Sequence, residues 1–181
     1  KKLSYAIIQT SQSAENSITP SGLLADFKKQ LELLNKLAKE HPEVRMVVFP
    51  EATDLFKNIS KFLTTVQVEK YFTGLFKEPR LIISGSKVLG QNGEPYSRVF
   101  YLNSKKDIID YYDKRLLMPG GEFAPYLFKI PAKILPPKFL AGFSNLRELS
   151  SGKKGDAVIN FENQFSVTSL VCSEILSPSL V

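Results

Sequence analysis

The sequence predicts an α/β fold with a mixed sheet, on three observations. In the first half of the chain, short Val/Ile-rich runs alternate with a segment of helical period. Later apolar runs come in pairs split by turn residues, the pattern of hairpins. The chain has 181 residues and is 43% hydrophobic, which suits one domain over 1–181 with a sizeable core.

Taken in order, Ser4 to Gln12 reads as a buried strand with adjacent isoleucines and a polar end. Thr19-Pro20-Ser21 supplies cap and first-turn signals for a helix. Leu23, Leu24, Phe27, Leu31, Leu34 and Ala38 recur at helical spacing, and His41-Pro42 closes the segment. Val44 to Phe49 is nearly continuous apolar sequence, as expected of a strand covered on both faces, and Pro50-Glu51 ends it. A second helix is expected from Ser60 to Phe76.

Leu81 to Leu89 is a third strand. Gln91-Asn92-Gly93-Glu94 carries an Asn-Gly turn signal, and Tyr96 to Leu102 returns as a fourth. Ile108 to Lys114 is the fifth, running into Leu116-Leu117-Met118-Pro119-Gly120-Gly121-Glu122. Pro125 to Gly155 has no clear period. Ala157 to Phe161 and Phe165 to Val171 read as two strands around a Glu162-Asn163 turn, the second leading directly to Cys172. Ser177-Pro178 is a helix-start signal.

Composition narrows the function classes. The net charge of +6 permits contact with an anionic surface, but the basic residues are scattered and show no aromatic-basic pattern, so nucleic acid is not an expected partner. No window has the roughly 18 apolar residues of a membrane helix. The first residues lack the apolar core of a signal peptide, so any membrane anchor is expected outside this sequence. One cysteine, Cys172, precludes an internal disulfide, and one histidine, His41, makes a His/Cys metal site an unfavoured reading. No cofactor is expected.

A lone cysteine is commonly a buried, inert side chain. To act as a nucleophile, Cys172 needs a base. His41 and Glu51 flank the Val44–Phe49 strand at opposite ends, some 25–35 Å apart along the chain at about 3.3 Å per residue. If the site gathers at the end carrying Glu51, His41 cannot serve it, and the base must be a carboxylate. Glu51 follows an apolar run and a proline, where partial desolvation suits a general base; its plainer reading is a solvated acid. Lys114 ends a strand, where a cation can stabilise a developing oxyanion; its plainer reading is one exposed lysine among 24 Lys and Arg. Glu122 and Glu174 are individually uninformative acids. Tyr126 to Phe143 alternates Tyr126, Leu127, Phe128, Phe139 and Phe143 with lysines and prolines. It is either a loop packed on its own core or an arm that dips into a lipid interface.

Phe-Pro-Glu51 after the second strand, Tyr-Tyr-Asp-Lys114 after the fifth and Val-Cys172-Ser-Glu174 after the last together resemble the nitrilase superfamily of carbon–nitrogen hydrolases. The resemblance spans the strand at Ala6-Ile7-Ile8-Gln9 through Cys172. It implies an α-β-β-α sandwich with mixed sheets, incomplete on its C-terminal side, and a triad of Glu51 as base, Lys114 as oxyanion partner and Cys172 as nucleophile. Within the superfamily, Lys114 to Pro125, with its Gly-Glu-aromatic-x-Pro ending, and Cys-x-Glu at the nucleophile are similar to apolipoprotein N-acyltransferases. In that likeness Glu122 and Glu174 are supporting acids. The sequence departs from the pattern at Ser173, where an aromatic is usual, and at Gly120, where the family has Phe; it also has no Trp.

The implied activity moves a fatty acyl group from phospholipid to the amino-terminal amine of a diacylglyceryl-cysteine lipoprotein, through a cysteine thioester. The implied setting is the outer face of a bacterial inner membrane, with membrane helices outside this sequence. Two other readings stay open: a soluble amidase or nitrilase using the same triad, and a catalytically silent binding module.

Overall fold

The computed structural model describes residues 2–10, 19–51, 53–105, 108–119, 122–123, 149–152 and 158–176. Their centre is a five-stranded mixed sheet: β1 (Tyr5–Ile7), β2 (Met46–Val48), β3 (Leu81–Leu89), β4 (Pro95–Asn103) and β5 (Ile108–Asp113) lie side by side in chain order. β1, β2 and β3 are parallel, while β3, β4 and β5 are antiparallel. The parallel pairs need crossovers, and helices supply them. α1 (Pro20–Glu40) joins β1 to β2; α2 (Leu55–Phe62) and α3 (Thr65–Leu75) join β2 to β3.

Alternation along the strands sorts the core into two layers. On one face, Val47, Ile82 and Leu102 meet Phe27, Leu34, Leu55, Ile59 and Phe72 of the helices. On the other, Leu81, Ile83, Val99, Tyr101 and Tyr112 meet Ile159 and Phe161. Those two belong to β6 (Ile159–Phe161), which pairs with β7 (Phe165–Val167) as a separate ribbon. Helices, sheet and ribbon thus form an α-β-β stack, which matches the expected sandwich as far as the described residues go. Full burial of a Leu, Ile or Phe is worth about 1.5–3 kcal/mol each, so these two layers dominate the fold's stability.

Local signals explain most element ends. Thr19 caps α1 by accepting from the Gly22 N–H at 3.1 Å, with Pro20 in the first turn as expected. The β3–β4 hairpin turns where Gly93 adopts φ 75°, and the β6–β7 turn places Glu162 and Asn163 in the left-handed region. Among the described residues, no helix is long and apolar enough to cross a membrane.

Three expectations change. The helix expected over Ser60–Phe76 is two helices, because Thr64 starts a new one: its hydroxyl accepts from the Gln67 N–H while the Gln67 side chain accepts from the Thr64 N–H. The first strand is three residues long, and 11–18 lie outside the described residues. The last strand ends at Val167, so Cys172 does not continue a strand; it opens a short 3₁₀ helix, Cys172–Leu176. The helix start at Ser177-Pro178 lies outside the described residues.

Candidate active site

Lys114 is the buried centre of the site. It follows β5 directly and is 1% exposed. Its N–H donates to the Ser97 carbonyl at 2.8 Å, and its own carbonyl accepts from the Gly152 N–H at 2.9 Å. Gly152 packs so closely that a Cβ there would lie 2.3 Å from the Asp113 carbonyl oxygen. The neighbouring Asp113 is tied to Arg98 by a two-pronged ion pair at 2.6 and 2.8 Å, which fixes the end of the strand. Burying a lysine head costs several kcal/mol unless carboxylates compensate it. Two do: Glu122 Oε1 lies 2.7 Å from Lys114 Nζ, and Glu51 Oε1 lies 3.9 Å from it.

Glu122 is held by more than the lysine. Its Oε2 accepts from the Met118 N–H at 2.8 Å, and its own N–H donates to the Met118 carbonyl at 2.9 Å. Both carboxylate oxygens are therefore engaged, Oε1 by Lys114 and Oε2 by the Met118 N–H.

Glu51 sits on the turn after β2. Thr53 closes that turn, with both its N–H and its hydroxyl donating to the Pro50 carbonyl. The buried Gln30 of α1 donates from Nε2 to the Thr53 carbonyl at 3.0 Å, fastening the turn to the helix layer. On the sheet side the turn lies directly on Gly85, where a Cβ would stand 2.0 Å from the Glu51 carbonyl oxygen. Only glycine permits that approach. The Glu51 side chain is 41% exposed, a partly shielded acid that keeps contact with solvent.

Cys172 has an exposed thiol and a left-handed backbone, φ 53°. A non-glycine residue pays roughly 1–2 kcal/mol for that conformation and keeps it only where its surroundings impose it. Glu174 imposes it. This carboxylate is fully buried: Oε2 accepts from the Val171 N–H at 2.8 Å, and Oε1 accepts from the Tyr112 hydroxyl at 2.8 Å and the Arg115 N–H at 2.6 Å. The Leu116 N–H also reaches Oε1, at 3.2 Å. One side chain thus clamps the Cys172 turn to the backbone just past Lys114. Burial, then the bond to Glu174, pushes the Tyr112 hydroxyl well above the usual tyrosine range.

No family model matches the sequence. Over 153 residues the chain is 29% identical to the apolipoprotein N-acyltransferase of Aquifex aeolicus (strain VF5), an alignment covering 83% of this chain and 31% of that protein. Among solved structures, Saccharomyces cerevisiae Nit3, a member of branch 10 of the nitrilase superfamily, superposes with a TM-score of 0.60 at 18% identity, covering 98% of this chain and 58% of that one. The NitN amidase from Nesterenkonia sp. AN1 gives 0.59 at 10% identity, covering 99% and 60%. The chain has the nitrilase fold.

Within this nitrilase fold the expected residues fall into three groups. Glu51, Lys114 and Glu122 are brought into direct contact. Cys172 is joined to them through Glu174, whose bonds reach the residues next to Lys114. Tyr126, Leu127, Phe128, Phe139 and Phe143 lie outside the described residues, as do Gly120 and Gly121. His41 caps the far end of α1 beside Glu43, away from the site, as its position in the chain implied. Sequence reasoning missed Ser97, Gln30, Gly85 and Gly152. Ser97 did carry a signal: it shares the inward register of Val99 and Tyr101, where a polar residue is out of pattern.

Proposed function

We propose that the chain is the acyl-transfer part of an apolipoprotein N-acyltransferase-like enzyme, working through a thioester at Cys172. The observation that carries this is the buried Lys114 between Glu51 and Glu122, with the left-handed Cys172 turn tied through Glu174 to the backbone just past that lysine. In the first step Glu51 accepts the Sγ proton, and the thiolate attacks the ester carbonyl of a phospholipid. Lys114 Nζ holds the oxyanion, whose charge is worth most to stabilise in a buried setting. The tetrahedral intermediate collapses, the C–O bond breaks, and the lysophospholipid leaves with the proton from Glu51. In the second step an amine attacks the thioester and gives its proton to Glu51. The C–S bond then breaks, and Cys172 regains its proton.

The similarity to the Aquifex enzyme supports a lipid acyl donor, a lipoprotein acceptor and a membrane setting, although the chain spans about a third of that relative's length (31%). Leu116, Met118 and Ile175 add to it, since these apolar side chains on the Lys114 and Cys172 loops are 40%, 45% and 69% exposed. The second reading is a carbon–nitrogen hydrolase acting on small amides. It is supported by the shared fold of the Nesterenkonia amidase.

Mass spectrometry of the full-length protein separates these readings. After incubation with phospholipid, a fatty acyl thioester on Cys172 is expected, absent in Cys172→Ala. Turnover of small amides with no acyl adduct would establish the hydrolase. A folded protein with neither would be a binding module. Lys114→Ala is expected to slow acylation by about 10²–10³-fold.

A further inference from the structure

Ser97 of β4 touches two residues of the proposed machinery, Glu51 at its carboxylate and Lys114 at its backbone. Its hydroxyl donates to Glu51 Oε1 at 3.2 Å, and its carbonyl accepts the Lys114 N–H at 2.8 Å. Serine here is not a neutral filler. It is 4% exposed and shares the inward register of Val99 and Tyr101, where an unpaired hydroxyl costs free energy. The Glu51 bond repays that cost.

Glu51 needs such a bond. Its side chain is 41% exposed, and the 3.9 Å separation from Lys114 is too long for a hydrogen bond. Exposed carboxylates sample several rotamers, and ordering a glutamate side chain costs up to about 1.5–2 kcal/mol. Among the described contacts, the Ser97 hydroxyl is the short polar bond to the Glu51 carboxylate. It occupies Oε1 and leaves Oε2 to take a proton. The backbone arm of the same residue sets where Lys114 leaves the sheet. One residue therefore fixes the spacing of base and cation.

We propose that Ser97 is a positioning residue that orients Glu51 for proton transfer from Cys172. This rests on the acyl-transfer reading for the identity of the base. It differs from a packing role in one respect: the effect of its hydroxyl passes through Glu51.

The test uses full-length protein and two readouts: the rate at which iodoacetamide alkylates Cys172, which needs no substrate, and the kcat and KM of acyl transfer. Ser97→Ala removes the hydroxyl arm and keeps the carbonyl arm. Ser97→Thr and Ser97→Val are nearly equal in shape and differ in the hydroxyl, so they read the bond even where alanine disturbs folding. Alkylation and kcat are expected to fall about tenfold in the alanine and valine variants, with KM unchanged and the threonine variant about tenfold faster than valine. In a Glu51→Gln background the same changes should have no effect. Equal rates for threonine and valine, a change in KM alone, or an undiminished effect in the Glu51→Gln background would each overturn the proposal. A parent protein that forms no thioester would defeat the acyl-transfer reading, and the alkylation series would still decide Ser97.

Discussion

Lys114 Nζ and Glu122 Oε1 meet at 2.7 Å in the interior, with the lysine 1% exposed. The pair stabilises the fold mainly by preventing an uncompensated buried charge, so breaking it from one side costs more than removing it whole. Glu122→Gln is expected to lower unfolding free energy by about 3 kcal/mol, and Lys114→Met in the same protein to recover much of that. Urea titration of the two single variants and the double variant measures the coupling. Additive losses would show that Glu122 does not compensate the lysine.

Glu174 is expected to be the least replaceable acid for stability. Glu174→Ala removes the buried acceptor of the Val171 N–H and the Tyr112 hydroxyl. At about 1–3 kcal/mol per buried unsatisfied group, a loss of 3 kcal/mol or more is expected. The Cys172 turn should loosen with it, which limited proteolysis between Val171 and Leu176 would reveal.

At Cys172 the left-handed backbone makes its own prediction. Glycine carries no Cβ penalty at φ 53°, so Cys172→Gly is expected to be more stable than Cys172→Ala by about 1 kcal/mol. The reverse order in thermal or urea unfolding would mean that the turn relaxes when the thiol is removed.

Tyr112 sets an alkaline limit. Its hydroxyl is raised in the folded state, by burial and then by Glu174, whereas an unfolded tyrosine titrates near 10. Below about pH 10 the folded and unfolded forms bind the same proton, and the contribution is intact. Above it the unfolded chain loses the proton first, so stability falls as pH rises towards the folded value. Tyr71, pushed up to about 12 chiefly by burial, acts in the same direction. Unfolding free energy measured between pH 8 and 11 is expected to decline less steeply in Tyr112→Phe.

Gly85 is expected to tolerate no side chain. A Cβ there overlaps the Glu51 carbonyl at 2.0 Å, and backbone rather than a flexible side chain must move. Gly85→Ala should destabilise by about 1–3 kcal/mol and slow acyl transfer by displacing Glu51, measured by unfolding and by turnover. Full activity in a folded Gly85→Ala protein would exclude a fixed Glu51 turn.

By itself the sequence determined what depends on local order along the chain. Its apolar runs set the strands and the two-sided β2, Thr19-Pro20 set the start of α1, and the turn residues set the β3–β4 and β6–β7 hairpins. The grouping of Glu51, Lys114 and Cys172 as a triad came from the likeness to the nitrilase superfamily rather than from local order, and it stands as the proposal above. The split between α2 and α3 was also local, written in Thr64 and Gln67, and was overlooked. What only the tertiary structure decided is which charges lose their water. Lys114 had two readings, an oxyanion partner or one exposed lysine among many, and the fold buries it because β4, Gly152 and Glu122 close over it; Glu51, read as a partly desolvated or a solvated acid, sits on the turn over Gly85 with its side chain 41% exposed. Burial and long-range hydrogen bonds are sums over neighbours distant in the chain. No local period encodes that Glu174, 60 residues from Lys114 by number, holds the loop beside it.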